Sequence, residues 1–69
     1  MMLQPGRYRH YKGRDYEVIG VARHSEDESL LVVYRPLYGE QGLWVRPLSM
    51  FSETVNVSGQ PVKRFTFID

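Results

Sequence analysis

The sequence contains no cysteine, which excludes disulfide bridges and every metal or catalytic site that depends on a thiolate. It also lacks any apolar run near the roughly 18 residues that a membrane-spanning helix requires. No apolar stretch at its N-terminus resembles a signal peptide. These absences favour a protein of the reducing cytoplasm with no membrane association.

Charge of one sign is scarce as well, because nine Lys and Arg residues stand against eight Asp and Glu residues. Proteins that bind nucleic acid mainly through phosphate groups are usually far more basic. The basic residues of residues 1–24 nevertheless form a local group, which consists of Arg7, Arg9, Lys12, Arg14 and Arg23. The sequence therefore predicts a local basic stripe without a strong general affinity for polyanions.

Helical periodicity is the third absence, since no stretch repeats apolar residues with the i, i+3, i+4, i+7 spacing. Short β-rich runs alternate with turn residues instead, which is typical of all-β domains. A chain of 69 residues forms one domain at most and buries about 60% of its extended surface. The prediction is a single small SH3-like, partly open β-barrel of about five strands over residues 1–69, in which curvature hides the sheet edges.

The predicted strands cover residues 7–11, 16–23, 30–34, 43–46 and 64–68, with residues 55–57 as a short edge strand. Turns are predicted at Lys12-Gly13 and Ser58-Gly59, where glycine permits a positive φ. Gly20 lies in the middle of the second strand, which predicts a bulge or a bend there. Residues 47–51 are predicted to form a 3₁₀ turn or an irregular corner.

The two histidines, His10 and His24, are each expected to form a hydrogen bond within a turn or to pack partly against the fold. No ligand-spaced pair is present, so neither a metal site nor a cofactor is predicted. The run His24-Ser25-Glu26 superficially resembles a base beside a nucleophile, but neighbouring residues of an extended chain point to opposite faces. Ser25 is predicted to begin the acidic turn by bonding its own backbone. No catalytic residue is assigned, and a small enzyme or accessory that uses His24 and Glu26 is one alternative hypothesis.

Aromatic and guanidinium groups are concentrated between Tyr34 and Phe51. Strand alternation puts Trp44 and Arg46 on one face and Leu43 and Val45 on the other. If Leu43 and Val45 filled the core, Trp44 and Arg46 would face outwards and could stack a flat group or a proline-rich peptide. The opposite orientation packs Trp44 into the core, and Tyr34 has the same two possible orientations.

The N-terminal hairpin mixes tyrosines with basic residues, which is one pattern of surfaces that bind single-stranded nucleic acid. RNA or single-stranded nucleic-acid binding through this hairpin is therefore a second alternative hypothesis. Tyrosine pairs across neighbouring strands also stabilise hairpins that bind no ligand.

Several segments, in order, resemble a short bacterial family known as domain of unknown function 1653 (DUF1653). They are Arg9 to Gly13, Tyr16 to Val18, Ala22 to Glu26, Val33-Tyr34, Leu37 to Gly39, Trp44 to Pro47 and Met50-Phe51. The resemblance implies a compact SH3-like β-barrel in the bacterial cytoplasm. It supplies no activity, substrate or catalytic residue.

The leading hypothesis is a non-enzymatic binding module for a peptide or protein partner, present as a monomer or a homodimer. It follows from an aromatic and guanidinium cluster that is accompanied by no catalytic constellation. The candidate ligand-binding residues are Tyr11, His24, Glu26, Tyr34, Tyr38, Trp44 and Arg46.

Overall fold

The computed structural model describes residues 3–69, which contain seven strands and one short helix. In chain order these are β1 (Gly6–His10), β2 (Asp15–Arg23), β3 (Leu30–Pro36), β4 (Trp44–Pro47), α1 (Leu48–Phe51), β5 (Thr54–Val57), β6 (Gln60–Lys63) and β7 (Phe65–Phe67). The prediction of a small all-β fold is confirmed. Residues 47–51, predicted as a 3₁₀ turn or an irregular corner, instead supply the last residue of β4 and one turn of α-helix.

The main sheet has five antiparallel strands in the order β4-β3-β2-β1-β7, and β5 pairs with β6 in a separate hairpin. Strands β4 and β7 are therefore the two edges, and no backbone ladder joins them within residues 3–69. The edges still approach each other through side chains. The guanidinium of Arg46 on β4 lies 5.6 Å from the ring centre of Phe65 on β7. The sheet thus curls without closing through hydrogen bonds.

A bulge interrupts β2 where the sequence predicts one. Its register against β3 shifts between Val18 and Gly20, so that Ile19 has no partner and remains 44% exposed. An extra residue of this kind bends a strand and increases its twist. The bulge therefore allows the inner face of β2 to follow the curl of the sheet.

The core on the concave face is mostly aromatic, with four rings among its six buried residues. Its buried members are Tyr8, Val18, Val32, Tyr34, Phe51 and Phe65. Phe51 stacks on Phe65 with ring centres 4.0 Å apart and planes within 1°, while Tyr8 meets Phe51 edge-on at 5.5 Å. The single turn of α1 thus brings Phe51 under the sheet, where burying such a ring contributes about 1.5–3 kcal/mol.

The hairpin turns agree with the sequence predictions at Gly13 (φ 103°) and Gly59 (φ 82°). Ser25 begins the acidic turn after β2, as predicted, but the side-chain hydrogen bonds of this turn come from its neighbours His24 and Asp27. Glu26 N–H donates to Nδ1 of His24 at 3.1 Å, and Ser29 N–H donates to a carboxylate oxygen of Asp27 at 2.9 Å. The longer side chains of His24 and Asp27 thus accept the backbone N–H groups of this turn, in place of the Ser25 hydroxyl.

The two histidines do form hydrogen bonds within turns, as predicted. Lys12 N–H donates to Nδ1 of His10 at 3.1 Å, which repeats the arrangement at His24.

No helix within residues 3–69 has the length and apolar character needed to cross a membrane.

Candidate functional site

The register between β3 and β4 decides which way the tryptophan points. Trp44 lies opposite Tyr34, and Arg46 lies opposite Val32. Residues directly opposite each other in an antiparallel pair share one face of the sheet. Because Tyr34 and Val32 are buried in the core, Trp44 and Arg46 lie on the concave inner face, together, as strand alternation predicts.

The outer face of β4 does not fill a core. Leu43 and Val45 are 64% and 57% exposed, so the arrangement in which they pack inside is wrong. Trp44 is 60% exposed, so the arrangement in which it is sealed inside is wrong as well. Trp44 is kept out of the core because Phe51 from α1 occupies the space beneath the sheet. As a result, Trp44 lies at the rim of the inner face.

The rim forms one wall of a pocket of about 310 Å³, called here the aromatic pocket. It is lined by Tyr16, Tyr34, Pro36, Tyr38, Gly39, Glu40, Trp44 and Arg46. Tyr34 is buried in the core and contributes the floor, whereas Tyr38 and Trp44 are exposed walls. The structure therefore brings together four of the candidate residues, namely Tyr34, Tyr38, Trp44 and Arg46.

Tyr16 also lines the pocket, although it was not among the candidate ligand-binding residues predicted from the sequence. Its hydroxyl lies 3.0 Å from that of Tyr38, and the two rings meet edge-on at 5.7 Å. Burial, together with the hydrogen bond to Tyr38, raises the pKa of Tyr16 to about 12. The phenol therefore stays protonated near neutral pH and acts as a hydrogen-bonding group. Alternation from the apolar Val18 is the signal that places Tyr16 on the inner face.

Two guanidinium groups lie over tyrosines at this pocket. Arg46 is half-buried, with its guanidinium 6.0 Å from the ring centre of Tyr34, and Arg14 lies 4.3 Å from the ring centre of Tyr38. Within residues 3–69, Arg46 has no carboxylate within 4.0 Å. Glu40 supplies the one acidic side chain of the lining. The pocket thus presents rings, a cation without an ion-pair partner and one carboxylate.

The positive charge extends towards His10. Desolvation by burial, followed by repulsion from Arg46, Arg64 and Lys12, lowers the pKa of His10 below its usual value. His10 also meets the ring of Phe65 edge-on at 4.9 Å. The imidazole therefore stays neutral at physiological pH and serves as packing and as a turn acceptor.

His24 and Glu26 lie at the far end of the β2–β3 hairpin from the aromatic pocket. This hairpin runs from the Tyr16–Pro36 pair beside the pocket to the Arg23–Leu30 pair beside the acidic turn. At about 3.3 Å per residue, that length of strand separates the two ends by roughly 20 Å. Neither His24 nor Glu26 lines the pocket.

Tyr11 belongs to a different cavity, of about 320 Å³, between β1, β7 and the β5–β6 hairpin. Its ring centre lies 4.7 Å from that of His10, and the Lys12 ammonium lies 5.8 Å from the Tyr11 ring centre. Among residues 3–69, no three His, Asp or Glu side chains gather into a group that could hold a metal ion.

Ion pairs offset part of the predicted basic stripe. Arg7 pairs with Asp69 at 2.8 Å and Arg9 pairs with Asp15 at 2.8 Å. The hydrogen bond from Arg9 holds the pKa of the Asp15 carboxyl below its usual range. Much of the positive charge of β1 is therefore already matched by carboxylates of the same chain.

The sequence profile of DUF1653, a family described as proteins of unknown function, matches residues 6–67. The chain belongs to the DUF1653 family. A crystal structure of a DUF1653 protein from Bordetella bronchiseptica is similar to it, with a TM-score of 0.87 and 40% sequence identity over 96% of this chain and 87% of that one. Comparison with curated proteins gives no match.

Membership of DUF1653 confirms the family resemblance read from the sequence motifs. The matched region includes every residue that lines the aromatic pocket. The family match and the similar crystal structure support the fold of this chain and assign it no activity.

Proposed function

We propose that this DUF1653 chain is a non-enzymatic binding module that receives an extended peptide segment of a protein partner in the aromatic pocket. One observation carries the proposal. Trp44 is 60% exposed, pairs with no other ring within residues 3–69, and lies two residues from the unpaired cation of Arg46 on the same face. Tryptophan and arginine are the residue types that most often dominate binding energy at protein interfaces.

The size of the pocket suits a single side chain of a partner. Its volume of about 310 Å³ lies at the lower end of the range for small-molecule sites. A flat ring or a proline could lie against Trp44 over the floor made by Tyr34. The hydroxyl of Tyr38, the carboxylate of Glu40 and the guanidinium of Arg46 would meet polar atoms of the partner backbone.

Two features oppose nucleic-acid binding, although the guanidinium groups of Arg14 and Arg46 lie at the pocket. Glu40 lies on the lining and would repel a phosphate group. Arg7 and Arg9, which would have formed a phosphate-binding stripe, are paired with carboxylates. RNA binding is therefore the competing outcome of the experiment below.

The test is selection of peptides from a random displayed library, followed by titration of the soluble peptides. Trp44 is the only tryptophan of the chain, so its fluorescence reports occupation of the pocket directly. We expect Trp44→Ala to weaken binding roughly tenfold or more, as measured by calorimetry. Leu43→Ala is the matched control, because Leu43 is a neighbouring residue of similar exposure outside the pocket lining.

Two results would overturn the proposal. In the first, the selected peptides bind wild type and Trp44→Ala with equal affinity. In the second, mixed-sequence single-stranded RNA quenches Trp44 at about 50 mM salt while no peptide does, which assigns the pocket to nucleic acid.

A further inference from the structure

Strand β4 leaves one side of its backbone unpaired, and Pro47 determines which residues face that side. Leu31 lies opposite Pro47 in the β3–β4 ladder. Because proline has no N–H, this pair cannot exchange two hydrogen bonds and must be the non-hydrogen-bonded kind. The two kinds alternate along an antiparallel ladder, so Arg46 and Trp44 bond to β3 and Val45 does not.

The N–H and C=O groups of Val45 therefore point away from β3, towards the free edge of the sheet. No other backbone hydrogen bond within residues 3–69 involves Val45. Val45 itself is 57% exposed, Trp44 beside it is 60% exposed, and Leu43, which directly precedes β4, is 64% exposed. An exposed apolar edge strand of this kind is a template for pairing with another strand.

This edge is complementary to itself. An antiparallel pair centred on Val45 joins Val45 to Val45 of a second copy through two backbone hydrogen bonds, with a two-fold axis between them. The same register puts Trp44 directly opposite Arg46 of the second copy, on the inner face of both sheets. These positions form a non-hydrogen-bonded pair, with Cα atoms about 4.5 Å apart and side chains in contact.

We propose that β4 pairs with β4 of a second copy, and that Trp44 of that copy covers the exposed side of Arg46. Arg46 already lies over Tyr34 and Phe65 of its own chain and has no carboxylate partner within residues 3–69. A tryptophan face is the best aromatic partner for a guanidinium group. Each copy thus contributes one residue to the rim of the other copy's aromatic pocket. The pairing needs no ligand and goes beyond the proposed function.

The register favours a second copy over an unrelated strand as the occupant. In this register, Trp44 of each copy contacts Arg46 of the other, so the ring–cation contact occurs twice across the two-fold axis. Val45 contacts Val45 of the second copy on the outer face, and Leu43 lies opposite Pro47 of the second copy. A generic strand would supply the backbone bonds without this match of side chains. The ladder is short, since Pro47 ends it and offers no N–H. The dimer therefore belongs to the class of small, weak interfaces and forms in a concentration-dependent way.

The first experiment is sedimentation of wild type between about 10 µM and 1 mM, a range suited to weak association. We expect a monomer–dimer equilibrium that is lost in Val45→Pro. Proline is tolerated on an edge strand where its nitrogen faces solvent, so the fold should persist, which circular dichroism can check. Val45→Thr keeps the N–H and the branched shape and is the matched control, expected to dimerise as wild type does.

The second experiment compares two variants of Trp44 that differ in the sign of the charge introduced at position 44. Trp44→Glu and Trp44→Lys both remove the ring from an exposed position. In the proposed register, position 44 faces Arg46 of the second copy. The glutamate variant would attract that cation and retain dimerisation, while the lysine variant would repel it, with at least a roughly tenfold difference in dissociation constant at low salt.

Equal dissociation constants for the two charge variants would overturn this register even if a dimer exists. A wild type that stays monomeric up to about 1 mM would overturn the pairing itself. These measurements use protein alone. Failure of the peptide selection would therefore leave them intact, and failure of dimerisation would leave peptide binding by the monomer intact.

Discussion

At the β7 edge of the sheet, Phe65 is 6% exposed and stacks on Phe51 at 4.0 Å, whereas at the β4 edge Trp44 is 60% exposed and pairs with no ring in residues 3–69. Backbone bonds also fasten the β7 side, where Arg64 N–H donates to Glu53 C=O at 2.9 Å. The difference arises because α1 follows β4 directly and carries its one buried ring towards β7. The apolar residues of β4 thereby remain exposed.

The largest effect should separate the two edges by stability. Phe51→Ala removes a ring that is 1% exposed and stacked on Phe65, so we expect a loss of about 3–5 kcal/mol in the free energy of unfolding. Trp44→Ala should lose less than about 1 kcal/mol because its ring is mostly in solvent. Urea denaturation of both variants measures the difference. Similar losses would mean that Trp44 packs as a core residue.

A smaller effect concerns the contact between β1 and the C-terminal end of β7. A Cβ at Gly6 would lie 2.7 Å from the ring of Phe67, on a backbone with φ of +142°. We therefore expect Gly6→Ala to destabilise the protein by about 1–3 kcal/mol in thermal unfolding. Gly20→Ala is the control, because a Cβ there meets nothing within 4 Å. Equal melting temperatures for the two variants would contradict this account of the β7 edge.

The smallest expected effect depends on pH and again concerns the β7 edge. Burial and nearby cations lower the folded-state pKa of His10, so the unfolded chain takes up a proton first as the pH falls. His10 thus contributes stability that is present above its unfolded pKa of about 6.5 and is lost as the pH falls through its lower folded pKa.

Denaturation between pH 7.5 and 5 measures this loss, over a range of about two and a half pH units. His10→Asn keeps an acceptor near the position of Nδ1 and removes the titration, so its stability should vary less with pH. Asp15 also has a lowered pKa, but the stability that its ionised carboxylate contributes is lost only at more acidic pH, below about 4. An unchanged pH slope in His10→Asn would remove His10 as the source.

Much of the sheet could be predicted from the sequence because its signals are local. Gly20 marks the bulge, and the apolar run from Leu30 to Tyr34 marks an interior strand. Strand β6 was not predicted because Gln60 to Lys63 contains a proline and shows no alternation of apolar and polar residues. All four of its residues are exposed in the structure. A four-residue helix cannot display a helical period, which explains the wrong prediction for residues 47–51.

The candidate site could be predicted only in part for a related reason. Alternation correctly groups Trp44 with Arg46, but which face they share depends on pairing with the buried residues of β3, which is a long-range property. Tyr11 and His24 resemble Trp44 and Arg46 in residue chemistry. The hairpin geometry nevertheless places them in other parts of the molecule.

The gap between β4 and β7 is spanned by the Arg46 guanidinium against the Phe65 ring rather than by a backbone ladder. A contact of that kind can stretch by a fraction of an ångström without breaking any main-chain bond. Shortening the side chain at position 46 is therefore expected to remove the one cation that covers the Phe65 ring, while every backbone ladder of the sheet stays in place.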